Sequence, residues 1–194
     1  MTKSIDFYFD FISPYSYLAY NKLKSFKNYE DININFKPIL LGGLHNLGGI
    51  TPPAFNERKL KNMKNDCDLV AKKNNIQFNW NTKFPINSLY LMRGYLVIND
   101  KLKIKYFELF FNAYWRDNID ISNEVYVKNI LNNIGINEGT YFEEIKKNDI
   151  KNELKSLTNI AFEKNIFGAP TFVVKEKIFW GQDRLDYALD EYYS

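Results

Sequence analysis

The first sixteen residues restrict the fold more than any other stretch of this chain. In Ile5–Ile12 (IDFYFDFI), Phe7, Phe9 and Phe11 alternate with Asp6, Tyr8 and Asp10. That period of two marks a β-strand. Ser13-Pro14-Tyr15-Ser16 follows at once. Serine suits a helix N-cap and proline the first helical position, so the strand is expected to run straight into a helix. Ala19, Leu23 and Phe26 continue that helix on one face. A second strand is expected over Ile32–Phe36. A β–α–β opening predicts a right-handed crossover and a mainly parallel start to a sheet.

The far end returns to strand. FGAPTFVV (Phe167–Val174), a charged turn at Lys175–Lys177 and IFWG predict a hairpin. Asp183 is expected to cap a last helix carrying Leu185, Ala188, Leu189 and Tyr192. Between the ends, Leu40–Ala54 is rich in Gly and Pro and reads as a loop, without a phosphate-loop or dinucleotide spacing. From about residue 57 to 164 the pattern is helical. Leu60, Met63, Cys67, Val70 and Ala71 form one apolar stripe, and Phe107, Phe110, Phe111 and Tyr114 another. Thr140 with Glu143 reads as a capping box. The prediction is therefore an α/β chain of one domain, 1–194. Residues 1–40 and 165–194 supply a β-α-β…β-β-α core, and about 55–164 supply an all-helical insertion that covers it.

Composition narrows the chemistry. The chain has one cysteine, Cys67, and one histidine, His45. An internal disulfide, a redox cysteine pair and a multi-His metal site are excluded, so no metal is expected. The net charge is +3 and the basic residues are spread out, which argues against a nucleic-acid partner. The Lys-rich stretch Lys59–Lys73 reads as a solvated helix face. The longest apolar stretch, Ile166–Val174, falls far short of the roughly 18 residues of a membrane span. No basic-then-apolar leader opens the chain, and a cytoplasmic location without membrane association is expected.

Three motifs carry chemistry. Ser13 and Ser16 stand at the step from strand to helix, where a helix N-terminus stabilises a thiolate. With serine at both positions the chain keeps an anion site but lacks thiols, so a thiolate would have to arrive on a ligand. The plainer reading of Ser13 is a helix cap. Gly168-Ala169-Pro170-Thr171 is the second motif; Pro170 is a candidate cis proline, and the residue before it could offer its backbone to an extended peptide. Trp180-Gly181-Gln182-Asp183-Arg184, just before the last helix, is the third. Asp183 could pair with a ligand amine, and the helix N-terminus behind it could hold a carboxylate.

In combination, DFYFDFISPYSYLA (Asp6–Ala19), FNAYWRDNIDIS (Phe111–Ser122) and FGAPTFVVKEKIFWGQDRL (Phe167–Leu185) resemble the 2-hydroxychromene-2-carboxylate isomerases and kappa-class glutathione transferases. The resemblance spans nearly the whole chain. It implies a thioredoxin-like, DsbA-type fold with a helical insertion, bound glutathione and a homodimer. It also implies a small aromatic or electrophilic substrate. In the isomerases, glutathione adds reversibly to a hydroxychromene carboxylate, permits bond rotation and is eliminated.

By the same resemblance Ser13 faces the glutathione sulfur. Ala169 and Pro170 form the peptide-binding step. Trp180, Gly181, Gln182, Asp183 and Arg184 bind the γ-glutamyl end, and Lys59 reaches the glycyl carboxylate. Asn87 lies near the substrate pocket, although it also reads as a helix N-cap. His45, in the glycine-rich loop, could meet an aromatic carboxylate, although a lone loop histidine also reads as a surface residue. The chain departs from many relatives in that Ile50 and Thr51 stand where an Asn is common. Two other readings are a kappa-like transferase and a non-catalytic peptide-binding module. A disulfide oxidoreductase is disfavoured, because Ser13 and Ser16 cannot form a disulfide.

Overall fold

A computed structural model describes residues 3–194; the first two positions of the domain read from sequence lie outside the described residues. Strand β1 (Ile5–Phe9) leads into helix α1 (Pro14–Lys24) and then strand β2 (Ile34–Pro38). The central block holds α2 (Leu41–Leu47), α3 (Glu57–Lys73), α4 (Leu89–Val97) and α5 (Asp100–Trp115), then α6 (Glu124–Asn132), α7 (Glu138–Glu144) and α8 (Asn148–Glu163). The chain closes with β3 (Thr171–Val174), β4 (Lys177–Trp180) and α9 (Leu185–Tyr193).

The strands form one sheet in the order β2-β1-β3-β4. β1 pairs with β2 in parallel, and with β3 antiparallel, with Tyr8 opposite Thr171. The two chain ends thus build a single sheet, as the opening and closing patterns predict. Parallel pairing of β1 and β2 needs a crossover, which α1 supplies. β3 and β4 form the expected hairpin, turning at Lys175 and Glu176, both at positive φ.

Aromatic side chains from the sheet and the helical block share one core. Phe107 of α5 is fully buried, with its ring 4.7 Å from those of Phe9 and Tyr20 and 4.9 Å from that of Phe36. The indole N–H of Trp115, at the end of α5, donates to the carbonyl of Phe11 at 2.9 Å. The helical block is therefore bonded to the segment that delivers Ser13.

Several local expectations are corrected. Leu40–Ala54 is not all loop, since it contains α2. The helical block is interrupted between α3 and α4, where Phe84–Pro85 is a cis bond. Thr140 is inside α7 and does not cap it; Asn137 does, its side chain accepting from the Thr140 N–H. Asp183 makes no cap bond either, because a 3-10 turn over Gln182–Arg184 intervenes before α9.

Candidate active site

The site begins at the C-terminal end of β1. Ser13 has extended backbone angles and its side-chain oxygen accepts from the Ser16 N–H at 3.1 Å, so it is the N-cap of α1. The same hydroxyl donates to the carbonyl of Ala169 at 2.9 Å, across 156 positions of sequence. The Ala169–Pro170 bond is cis. First and second motifs are therefore joined by a direct hydrogen bond. Ser13 is nearly buried, and the buried Ser16 hydroxyl has no hydrogen-bond partner.

The third motif meets the second. The Gly181 N–H donates to the Pro170 carbonyl at 2.9 Å. A Cβ on Gly168 would fall 2.5 Å from the Trp180 indole nitrogen, so the close approach of the two segments requires glycine there. Gly181 has φ 106° and a Cβ there would fall 2.6 Å from an Asp183 carboxylate oxygen. Gln182–Arg184 packs beside α1. Trp180 lies against Phe167 at 4.8 Å and is half exposed. Asp183 and Arg184 are exposed and paired at 3.2 Å.

Lys59 shares a cleft with Tyr15. A cleft of about 410 Å³ is lined by Tyr15, Pro53, Arg58, Lys59, Asn62 and Met63. Among the described residues neither Arg58 nor Lys59 makes an ion pair. The cleft thus presents two free cations next to the first turn of α1, a setting suited to a carboxylate. The Tyr15 hydroxyl donates to Asp66 at 2.8 Å. Burial and that carboxylate push the phenol well above its ordinary range, so Tyr15 stays protonated.

Asn87 and His45 lie apart from this cleft. Asn87 is exposed and its side chain accepts from the Leu89 N–H at 3.0 Å, tying down the start of α4. His45 is buried on α2 rather than exposed on a loop. Burial holds its imidazole below the ordinary value. The folded state therefore favours neutral His45, while the unfolded chain takes up the proton near pH 6.5, about the free value. Stability is thus fully present above that pH and falls as pH drops. Urea midpoints from pH 7 to 5 should decline less steeply in His45→Gln than in the parent. Equal slopes would show that His45 carries none of the pH dependence.

Asp10, beside the candidate site, is a residue that motif reading missed. It is fully buried, accepts from the Ile12 N–H at 3.1 Å and the Leu41 N–H at 2.8 Å, and its carbonyl accepts from the Ser13 N–H at 3.0 Å. Desolvation raises its carboxyl pKa, against hydrogen bonds from Ser88, Leu41 and Ile12 that lower it. Asp10 fixes the turn before Ser13 and ties it to α2. The available cue was an acid at the end of an apolar strand, three residues before the serine.

Among the described residues no helix is long and apolar enough to cross a membrane, and no group of His, Cys, Asp and Glu could hold a metal ion. Comparison with known proteins places the chain among thioredoxin-fold relatives. A curated 2-hydroxychromene-2-carboxylate isomerase from Sphingobium xenophagum is 29% identical over 96% of this chain and 96% of its own length. Human glutathione S-transferase kappa 1 is 26% identical over 96% of this chain and 89% of its own. The solved structure of a 2-hydroxychromene-2-carboxylate isomerase superposes with a TM-score of 0.86 at 25% identity, covering 96% of this chain and 92% of that one. The family model for the DSBA-like thioredoxin domain matches residues 4–193, and the chain belongs to that family.

Proposed function

We propose that this chain is a glutathione-dependent isomerase of the 2-hydroxychromene-2-carboxylate type. The observation that carries the reading is Ser13, a serine at the thiol position of a thioredoxin-type site, hydrogen-bonded to the residue before a cis proline. The similarity to isomerases and to a kappa-class transferase supports it. A kappa-like transferase is the second reading, since the same thiolate serves both reactions. Net consumption of glutathione marks the transferase and its absence marks the isomerase.

The residues present fit glutathione at each end and at the sulfur. Arg58 and Lys59 would hold the glycyl carboxylate in the cleft beside Tyr15. Asp183, now paired only with exposed Arg184, would take the free amine, and Arg184 the neighbouring carboxylate. Ala169 would offer its backbone to the cysteinyl unit. When bound, glutathione would supply a thiol that adds reversibly to the conjugated double bond and leaves again after rotation. Ser13 would turn its hydroxyl from the Ala169 carbonyl to the sulfur. With the N-terminus of α1 it would favour the thiolate at neutral pH, below the free thiol value of about 8.5. We assign the chain a small aromatic or electrophilic substrate and a homodimeric state, by extension from the family pattern.

Thermal shift against reduced glutathione tests the reading. The midpoint should rise with ligand concentration, as linkage requires. S-methylglutathione should stabilise as well, because both end contacts remain. No shift at millimolar concentration of either would overturn the proposal. Asp183→Asn sharpens the test. The side chain is exposed and caps no helix, so the fold should change by no more than about 0.5 kcal/mol. Loss of a charge-assisted contact should weaken binding by about 1–3 kcal/mol, roughly 5- to 150-fold in Kd. An unchanged Kd would remove Asp183 from the site.

A further inference from the structure

A second cleft, of about 580 Å³, opens where α2, α4 and α8 meet near the edge strand β2. Its volume lies within the roughly 300–1,000 Å³ of small-molecule sites. Leu47, Leu89 and Leu154 give it an apolar wall, and Arg93, Lys151 and Lys155 stand around it. No Asp or Glu lines it. Among the described residues none of the three cations makes an ion pair. Lys151 reaches only the Asn148 side chain, at 3.4 Å. The Nε of Arg93 is buried with no hydrogen-bond partner. That Nε is closed off from the cleft, so a ligand there would meet the terminal guanidinium nitrogens, for which a planar carboxylate is the fitting acceptor.

This cleft is not the thiol site. Ser13, Tyr15, Ala169 and Trp180 do not line it. Asp10 stands at the join, bonded on one side to Ile12 in the serine turn and on the other to Leu41 at the start of α2.

We propose that the cleft is a second binding site, for a small amphipathic carboxylate. The apolar chain lies along Leu47, Leu89 and Leu154. The carboxylate is held by Arg93, with Lys151 and Lys155 supplying further positive charge. The proposal does not depend on the glutathione reading, because the two sites share no lining residue.

Calorimetric titration with decanoate, kept below micelle formation, tests it. One decanoate should bind per chain, and decanol, which lacks the charge, should bind at least tenfold more weakly. Leu47 is half exposed, so Leu47→Glu should leave the fold intact while lowering decanoate affinity more than tenfold. Arg93→Gln should do the same. If that variant fails to fold, exposed Lys155→Gln replaces it, with an expected loss of about threefold or more, the scale of one partly screened charge. S-methylglutathione at saturation should leave decanoate binding unchanged. Absent binding, multiple weak sites, indifference to Leu47→Glu, or competition with S-methylglutathione would each overturn the proposal. Decanoate binding in a protein that ignores glutathione would support it while removing the thiol-site reading.

Discussion

Ser13→Ala should lower turnover of a hydroxychromene carboxylate at neutral pH by roughly 10²-fold or more. One preorganised donor to a reacting anion is worth about 2.7–4 kcal/mol in comparable sites. The Ser13 oxygen is held between the Ser16 N–H and the Ala169 carbonyl, so its position is set before any ligand arrives and only its proton has to turn. Without it the bound thiol keeps the dipole and backbone N–H groups of α1 but loses a donor to its charged form. The thiol pKa must therefore rise. Thiolate absorbance followed against pH at saturating glutathione would report the rise, and the activity deficit should shrink as pH increases. Loss of the N-cap bond should cost only about 1 kcal/mol of stability. Glutathione affinity should change little, since the contacts we propose for the peptide lie mostly at its two ends. Ser13→Thr keeps the hydroxyl and should restore part of the activity. Unaltered titration and turnover in Ser13→Ala would reduce Ser13 to a helix cap.

The parts of this site that were legible in sequence are those whose signals are local. Alternation of Phe7, Phe9 and Phe11 followed by Ser13-Pro14 is a strand, a cap and a first turn, each readable within a few residues. Helix α2 was hidden because Gly42 and Gly43 sit inside it, each costing about 1 kcal/mol relative to alanine. What holds its start comes from elsewhere. The Leu41 N–H meets Asp10, 31 positions away, and the Leu40 N–H meets the Thr158 hydroxyl, 118 positions away. The capping box at Thr140 failed for the opposite reason. Asn137, three residues earlier, is the intrinsically better cap, whereas Thr140 only matches the spacing of a capping box to Glu143. Sequence offers His45 as a substrate contact or a surface residue of a loop, and does not reveal its burial because the packing of α2 against α8 is tertiary. The bonds that the Ala169 and Pro170 carbonyls accept, from the Ser13 hydroxyl and the Gly181 N–H, are likewise tertiary and leave no local signal.

Phe107→Ala should remove about 3–5 kcal/mol of stability, the usual cost of emptying a phenylalanine site in a packed core. The position is severe because of what surrounds the ring. Phe107 belongs to α5 in the helical block, yet its neighbours are Phe9 of β1, Tyr20 of α1 and Phe36 of β2, with Phe111 at 4.7 Å on its own helix. Truncation leaves a cavity between the sheet and the block, where neither side can collapse alone. For a chain of this size each kcal/mol shifts the melting midpoint by about 2–4 °C, so a fall of roughly 6–20 °C is expected. The same variant tests our proposal that the two chain ends and the insertion fold as one domain. If they share one core, the parent and Phe107→Ala should each melt in a single transition, with calorimetric and van't Hoff enthalpies equal. Far-UV ellipticity and tryptophan fluorescence should then move together. Early loss of part of the helical signal, with the sheet still folded, would show that the insertion is a separate unit. In that case Phe107 would be an interface residue, and the serine turn, bonded to the insertion through Trp115 and Phe11, would loosen before the sheet unfolds.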